Sequence, residues 1–302
     1  MILFILYLVI IFITIIWINF GKSLKRVQYQ YHRYLSDQSL FDPRNHNLYM
    51  LGCCVLSGVL LNTYETNFFI SEFTIIEGLT YSYQKEKFGF MCKHPLNQDS
   101  LIISISSTSC TDDVLVSMDN QLKSLQNIGK IHKGYVDQIL NILPSILKYL
   151  KAQSDGDGDD SDITTIYLTG HSLGGALVSV LAIILYLYFP KRYKFKICTF
   201  GSPKYADEET IDFIEKEHEY FNIINYINDA DPVVHKPVDP QYHRVGKDIH
   251  WKLDSGNDNV NHGIRTYKEC VLEIKQEDSS IKKRMHRLDE IISRGVLDLL
   301  SS

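Results

Sequence analysis

The 302-residue sequence lacks several features that would assign it to common protein classes. Basic residues do not outnumber acidic ones: 31 Lys and Arg stand against 36 Asp and Glu, so there is no surplus of positive charge to bind nucleic-acid phosphates. No internal repeat occurs at the spacing of solenoids or propellers. Charged residues make up 22% and apolar residues 45% of the chain, which excludes extended disorder and a polytopic membrane protein. We expect one globular domain, a neutral or apolar partner and no nucleic acid, and no obligate protein partner is evident.

Patterns of metal or disulfide chemistry are also missing. No two cysteines have metal-ligand spacing, and a chain of this length does not need a disulfide framework; we expect most of them to be small buried side chains. They are Cys53, Cys54, Cys92, Cys110, Cys198 and Cys270. The acidic run 154–162 superficially resembles a calcium loop, but Asp160 and Ile166 occupy the positions that need Gly and Glu. We therefore expect a solvated loop there, and neither a metal nor a cofactor.

The first 20 residues are a long apolar run in which only Thr14 and Asn19 are not apolar. As a helix rising about 1.5 Å per residue, this run is long enough to cross a bilayer core of about 30 Å. It is therefore not expected to belong to the folded core.

Two interpretations of residues 1–21 compete: an uncleaved signal-anchor, or a signal peptide with Gly21 and Ser23 as small residues near the cut. The absence of Lys and Arg ahead of the run and the position of Trp17 near its end favour the anchor. We expect residues 22–302 to form a domain tethered to a membrane of the endomembrane system. Cleavage would instead produce a secreted protein.

The first half of this domain mixes helices and strands. Apolar patterning predicts a buried helix over 45–66, short strands over 68–76, 79–84 and 101–106, and amphipathic helices over 114–125 and 135–151. Pro144 is expected to kink or break the last of these.

Strands and helices alternate in the second half. The pattern predicts a strand over 163–169, a long apolar helix, a strand over 194–200, a helix over 207–219 and a strand over 222–227. Such βαβαβ alternation is typical of an α/β fold with a mostly parallel sheet flanked by helices.

The sequence Gly170-His171-Ser172-Leu173-Gly174 has the form G-x-S-x-G and lies between a predicted strand and a predicted helix. A serine at such a sharp turn has a strained backbone, and side chains two residues before and after it would collide, which explains both glycines. The following helix directs its first N–H groups at the serine, and the Leu173 N–H is suited to bind an oxyanion. This elbow predicts Ser172 as a nucleophile.

A serine nucleophile needs a histidine base, and the histidine needs a carboxylate to fix its tautomer. In this architecture the chain order is Ser, acid, His. Asp231 follows the predicted strand 222–227 and would face the elbow, with Asp229 as its competitor. The chain order leaves five candidate bases, which are His235, His243, His250, His262 and His286. His262 is favoured because it lies in a polar Gly/Asn-rich loop ahead of a predicted helix.

Several separate stretches resemble the class 3 lipases, the fungal-type triacylglycerol lipases of the α/β-hydrolase superfamily. They are IHKGY at 131–135, TGHSLGGAL at 169–177, TFGSPKYAD at 199–207, NDADPVVHKP at 228–237 and YHRVGKDIHW at 242–251. The stretches occur in the family's order within a core of about 100–265. The resemblance implies an α/β-hydrolase with Ser172 as nucleophile, Asp231 as triad acid and His262 as base.

The resemblance also implies further roles. Ile105-Ser106-Ser107-Thr108 aligns with the family's F-R-G-[ST] stretch, so Thr108 would be the first oxyanion donor, although Ser106-Ser107 replaces the usual Arg-Gly. The helix predicted over 114–125 is either a lid over the serine or an ordinary surface helix. His132 and Tyr135 match a stretch that is expected to be structural.

These observations predict a serine hydrolase that cleaves lipid esters through an acyl-enzyme, as a triacylglycerol or diacylglycerol lipase or a phospholipase A1-like enzyme. Its partners would be a lipid ester and a membrane or lipid interface. Two alternatives stay open: an esterase for soluble esters, and a non-catalytic, membrane-tethered lipid-binding protein that keeps the hydrolase fold.

Overall fold

The structure is a computed structural model that describes residues 40, 42–62, 75–80, 87–106, 121–154 and 163–273. Several sequence predictions therefore lie outside the described residues. They are the apolar segment 1–21, Thr108, the part of the predicted lid before residue 121, most of the acidic run 154–162, Cys110 and His286. Within the described part of the chain, no helix is long and apolar enough to cross a membrane.

One seven-stranded sheet organises the described part of the chain, in the order β1-β2-β3-β6-β7-β8-β9. The first three strands pair antiparallel and the remaining pairs are parallel. The strands are β1 (Ile75–Thr80), β2 (Lys87–Lys93), β3 (Ser100–Ile105), β6 (Thr165–His171), β7 (Lys194–Phe200), β8 (Phe221–Asn228) and β9 (Lys247–Trp251). A separate antiparallel hairpin consists of β4 (Leu122–Leu125) and β5 (Gly129–His132). The predicted α/β fold with a mostly parallel sheet is confirmed.

The register of the parallel strands brings several loops to one edge of the sheet. Ile105 at the end of β3 pairs with Gly170, and His171 at the end of β6 pairs with Phe200 at the end of β7. Because parallel strands end at the same edge, the loops after β3, β6 and β8 emerge close together. Ser172 and Asp231 follow two of these strands, β6 and β8.

Helices cover both faces of the sheet. In chain order they are α1 (His46–Asn62), α2 (Lys133–Ser154), α3 (Leu173–Tyr188), α4 (Glu208–Lys216), a short α5 (Asp258–Asn261) and α6 (264–273). Helix α1 packs on one face of the sheet, whereas α3 packs on the other face with α2 against it. Residues 173–186 of α3 are all buried, which explains why this helix is apolar on every side.

Small polar contacts join α1 to the sheet within an apolar layer. The Cys54 thiol lies 3.0 Å from the Thr169 hydroxyl, and the Ser104 hydroxyl donates to the Cys53 carbonyl at 3.0 Å. Burial raises the pKa of the Cys54 thiol to about 12. All five described cysteines are buried and free, as expected of small apolar side chains.

Several local predictions were wrong. Residues 75–80 form one strand, β1, across the gap between the strands predicted over 68–76 and 79–84. Residues 122–125 form strand β4 and not the end of a helix, because they pair with β5 across a tight turn where Asn127 and Gly129 have positive φ. Strand β2 was not predicted. It contains Gly89, whose lack of a side chain lets β3 approach, because a Cβ there would lie 2.2 Å from the Ser104 carbonyl oxygen. Helix α2 continues past Pro144, so the helix is not broken there, and a kink stays a prediction.

Two leucines on α2 provide a test of the core. Leu143 is 3% exposed and belongs to the core cluster that α2 shares with α3, whereas Leu140 is 42% exposed. We expect Leu143→Ala to lower the free energy of unfolding by about 2–5 kcal/mol, because it leaves a cavity, and Leu140→Ala to lower it by less than about 1 kcal/mol. Urea denaturation followed by circular dichroism measures both. Equal losses would contradict this packing.

Candidate active site

Ser172 lies at a sharp junction between β6 and α3. Its backbone has φ 57° and ψ −132°, in a region that residues other than glycine rarely adopt. Two hydrogen bonds hold this conformation: the Ser172 N–H donates to the Phe200 carbonyl at 2.9 Å, and the Gly175 N–H donates to the Ser172 carbonyl at 2.9 Å. The predicted strand–serine–helix turn is therefore present.

Glycines flank this turn because the backbone leaves no room for a side chain. A Cβ on Gly170 would lie 2.2 Å from the backbone of Gly174, and a Cβ on Gly174 would lie 2.4 Å from the Ile105 carbonyl oxygen. The second contact also shows that the end of β3 approaches the elbow. The chain that leads toward Thr108 thus starts beside the serine, although Thr108 itself lies outside the described residues.

Asp231 is a fully buried carboxylate in the loop after β8. The Val233 N–H donates to its Oδ1 at 2.8 Å, and the Tyr267 hydroxyl donates to its Oδ2 at 2.6 Å. The competitor Asp229 is partly exposed and binds His250 instead, at 2.8 Å. The structure thus separates the two candidate acids.

His262 follows the short helix α5, and a network of buried amides fixes its loop. The Asn228 side chain donates to the carbonyls of Leu253 and Asn261, both at 3.0 Å. The Asn261 side chain donates to the Ala230 carbonyl at 3.2 Å, in the loop that carries the acid. The loops of the acid and the histidine are therefore held together by side-chain hydrogen bonds.

The structure brings Ser172, His262 and Asp231 into one hydrogen-bonded chain. His262 Nδ1 lies 2.7 Å from Asp231 Oδ2, and His262 Nε2 lies 2.7 Å from Ser172 Oγ. Because a carboxylate only accepts, Nδ1 carries the proton, and the bare Nε2 of the neutral ring accepts from the serine hydroxyl. The His262 side chain is 21% exposed, whereas Ser172 and Asp231 are buried.

Leu173 is the first residue of α3, so its backbone N–H has no acceptor within the helix. It follows Ser172 directly, at the positive end of the helix dipole. This N–H is suited to stabilise negative charge that develops next to Ser172 Oγ.

His171 lies immediately before Ser172 and is buried. Its Nε2 lies 2.8 Å from the carbonyl oxygen of His262, and its ring centroid lies 4.8 Å from that of His262. Burial, with a smaller contribution from neighbouring His262, lowers the pKa of His171 to about 3. The residue is therefore neutral under ordinary conditions.

The sequence did not reveal the residues that hold Ser172, His262 and Asp231 in place. Tyr267 on α6 is fully buried, and burial together with Asp231 raises the pKa of its hydroxyl well above the usual value, so it stays a donor. Its partner is distant in sequence, and no local pattern marks it. Asn228 and Asn261 lie close in sequence to the acid and the base. Asn228 ends the mostly apolar strand β8, which is a weak signal, whereas Asn261 lies in a polar stretch and no sequence signal marks it. In contrast, His132 and Tyr135 stack at 3.9 Å and are buried, as expected for packing residues.

The mostly parallel sheet with helices on both faces and a strand–serine–helix elbow defines the α/β-hydrolase fold. Residues 102–240 match the family model described as lipase (class 3). The resemblance to class 3 lipases is therefore confirmed over this region. No curated protein sequence matches the chain.

Solved structures of fungal lipases share the fold. The Rhizomucor miehei triacylglyceride lipase has a TM-score of 0.53 and 16% identity, covering 72% of this chain and 81% of its own. The Rhizopus microsporus var. chinensis lipase has a TM-score of 0.52 and 17% identity, covering 72% and 75%. A triacylglycerol lipase whose catalytic centre is a serine protease triad has a TM-score of 0.50 and 17% identity, covering 61% and 69%.

The tight packing of the elbow predicts that it does not tolerate a methyl group. We expect Gly174→Ala to lower the free energy of unfolding by about 3 kcal/mol, since backbone atoms that crowd the new Cβ have no rotamer to relieve the clash. Gly256→Ala is the control, because a Cβ there meets nothing within 4 Å and only the positive φ opposes it, at a cost of about 1 kcal/mol. Chemical denaturation compares the two, and equal costs would contradict the crowding.

The low pKa of His171 predicts a loss of stability in acid. The unfolded chain binds a proton near the usual pKa of 6.5 and the folded chain only near 3. The contribution of His171 is therefore complete above about pH 6.5 and is lost as the pH falls toward 3, by at most about 1.4 kcal/mol per pH unit. Urea denaturation from pH 7 to 4 should show a shallower loss for His171→Gln than for wild type.

The exposed His218 provides the matched control for this experiment, since His218→Gln should leave the wild-type slope unchanged. His46, whose pKa is lowered to about 4, contributes to all three proteins, so the difference between wild type and His171→Gln isolates His171. Parallel curves for wild type and His171→Gln would show that the histidine is free to protonate in the folded state.

Proposed function

We propose that the protein is a serine hydrolase that cleaves carboxylic esters of lipids through an acyl-enzyme. The observation that carries this proposal is the chain of hydrogen bonds from Ser172 through His262 to the buried Asp231. The class 3 lipase match over residues 102–240 supports ester hydrolysis as the reaction class.

Acylation begins when Ser172 Oγ attacks the ester carbonyl carbon while His262 Nε2 accepts its proton. The carbonyl oxygen becomes an oxyanion, which the Leu173 N–H stabilises. Asp231 accepts the hydrogen bond of Nδ1–H throughout and stabilises the imidazolium. When the tetrahedral intermediate collapses, the bond to the leaving oxygen breaks, and that oxygen takes the proton from Nε2. The alcohol departs and the acyl group remains on Ser172.

Deacylation repeats the steps with water. His262 Nε2 accepts a proton from water as the water oxygen attacks the acyl carbon, and the Leu173 N–H again stabilises the oxyanion of the second tetrahedral intermediate. Its collapse breaks the bond to Ser172 Oγ, which recovers a proton from His262. The products are a fatty acid and the resting enzyme.

Thr108 is proposed as the first oxyanion donor, beside the N–H of Leu173. The resemblance of Ile105-Ser106-Ser107-Thr108 to the family's oxyanion stretch supports this role, as does the approach of the Ile105 carbonyl to Gly174. The same resemblance suggests that the chain before residue 121 contains a lid that admits an apolar substrate at an interface.

A long-chain acylglycerol or phospholipid is the proposed substrate class. Two apolar side chains near the loops of the site support an apolar partner: Val260, two residues before the base, and Val238, after the acid loop, are both exposed. The Rhizomucor miehei neighbour is described as a triacylglyceride lipase. Residues 1–21 are proposed as a membrane anchor that keeps the enzyme beside its lipid, with secretion after cleavage as the alternative.

A labelling experiment on the full chain in mild detergent tests the proposal. We expect a fluorophosphonate to modify Ser172 alone and Ser172→Ala to lower ester hydrolysis by a factor on the order of 10⁴ or more with an unchanged fold. Ser145→Ala on α2 is the control and should behave as wild type. Site mapping by mass spectrometry and a titration of released fatty acid provide the measurements.

Other outcomes would replace the proposal by a defined alternative. Full hydrolysis by a clean Ser172→Ala preparation would contradict the assignment of the nucleophile. A folded wild-type protein that neither labels nor hydrolyses any ester would indicate a non-catalytic lipid-binding protein. Hydrolysis that is fastest on short soluble esters, with no increase when substrate forms micelles, would indicate a soluble-ester esterase.

A further inference from the structure

His171 is connected to the base of the site through the backbone, not through the acid. Its Nε2 lies 2.8 Å from the main-chain oxygen of His262. Because a carbonyl oxygen only accepts, Nε2 carries the proton and donates. His171 thus binds the backbone of His262. Because His171 and Ser172 are consecutive residues, one peptide bond links the nucleophile to this contact.

The protonation state of His171 follows from its surroundings. With Nε2 protonated, the neutral ring has a bare Nδ1, and this buried atom has no hydrogen-bond partner among the described residues. A second proton would place an unpaired N–H in the protein interior, which is costly. The titratable groups facing the ring are His262, Asp231 and Tyr267. The ring is therefore a neutral donor of fixed tautomer.

The position of His171 in β6 determines the face of the sheet from which its side chain reaches the backbone of His262. Strand side chains alternate between faces, and Thr169 on the same strand contacts α1 through Cys54. His171 is on this same face, where its ring lies 5.7 Å from that of Tyr267 on α6. It therefore lies between the end of β6 and the loop of His262, next to Tyr267.

We propose that His171 is a positioning residue that holds the His262 main chain so that the imidazole reaches both Ser172 Oγ and Asp231. This inference rests on the proposed function for its kinetic consequence. The two hydrogen bonds of the imidazole fix its ring plane, and the bond from His171 fixes the backbone from which the ring projects. Since His171 stays neutral, it adds no repulsion when His262 becomes an imidazolium ion.

Two substitutions separate the hydrogen bond from the bulk of the side chain. His171→Leu fills similar space without a donor, whereas His171→Gln can place an amide N–H near the position of Nε2. We expect His171→Leu to lower kcat for a lipid ester about tenfold with KM changed less than about twofold, since one hydrogen bond is lost. His171→Gln should recover kcat to within about threefold of wild type.

A second measurement does not need a substrate. In the full chain labelled with ¹⁵N-histidine in detergent, the proton between His262 Nδ1 and Asp231 should give a low-field resonance that His262→Asn removes. We expect this resonance to broaden or disappear in His171→Leu and to persist in His171→Gln. Thermal unfolding of both variants measures the structural effect of each substitution.

The outcomes distinguish the inference from the proposed function. If both variants lose activity and the resonance in proportion to lost stability, His171 is a packing residue and the inference is wrong. It is also wrong if His171→Leu keeps the wild-type kcat and resonance. If wild type hydrolyses no ester but the resonance responds as expected, the proposed function fails while the positioning role stands.

Discussion

The arrangement of the site depends on the left-handed backbone of Ser172. A parallel strand that ends at the sheet edge normally passes into a loop, but positive φ at this residue turns β6 directly into α3. The serine side chain then projects from the sharpest point of the turn, and the first N–H of α3 is directed to the same place. The strain costs stability, which the buried, largely apolar helix α3 offsets by packing between the sheet and α2.

The acid and the base depend on a second constraint, the complete hydrogen bonding of a buried carboxylate. Asp231 has no exposed surface, so its charge is tolerated because Val233, Tyr267 and His262 all donate to it. These donors come from the acid loop itself, from helix α6 and from the loop before α6. Satisfying one carboxylate thus joins three segments of the chain at the edge of the sheet.

Much of this architecture could be predicted from the sequence, because it arises from local patterns. Short continuous runs of mostly apolar residues predict the strand before Ser172, the helix after it and strand β7. Steric exclusion explains Gly170 and Gly174. The hairpin of Leu122–Leu125 could not be predicted, since pairing with β5 overrides helical spacing. Tyr267 was also beyond prediction, because its contact with Asp231 spans 36 residues and no motif marks it.

Electrostatics connect the fixed parts of this site to the chemistry proposed for it. Before reaction, the buried negative charge of Asp231 is balanced only by hydrogen bonds; when His262 accepts a proton, a positive charge appears 2.7 Å away and the pair becomes an ion pair. The carboxylate therefore gains stabilisation as the imidazolium forms, which lowers the barrier to removing the serine proton. Two further titratable groups beside this pair, His171 and Tyr267, are kept neutral mainly by burial. A charge on either ring would compete with the pair at the moment when the proton moves.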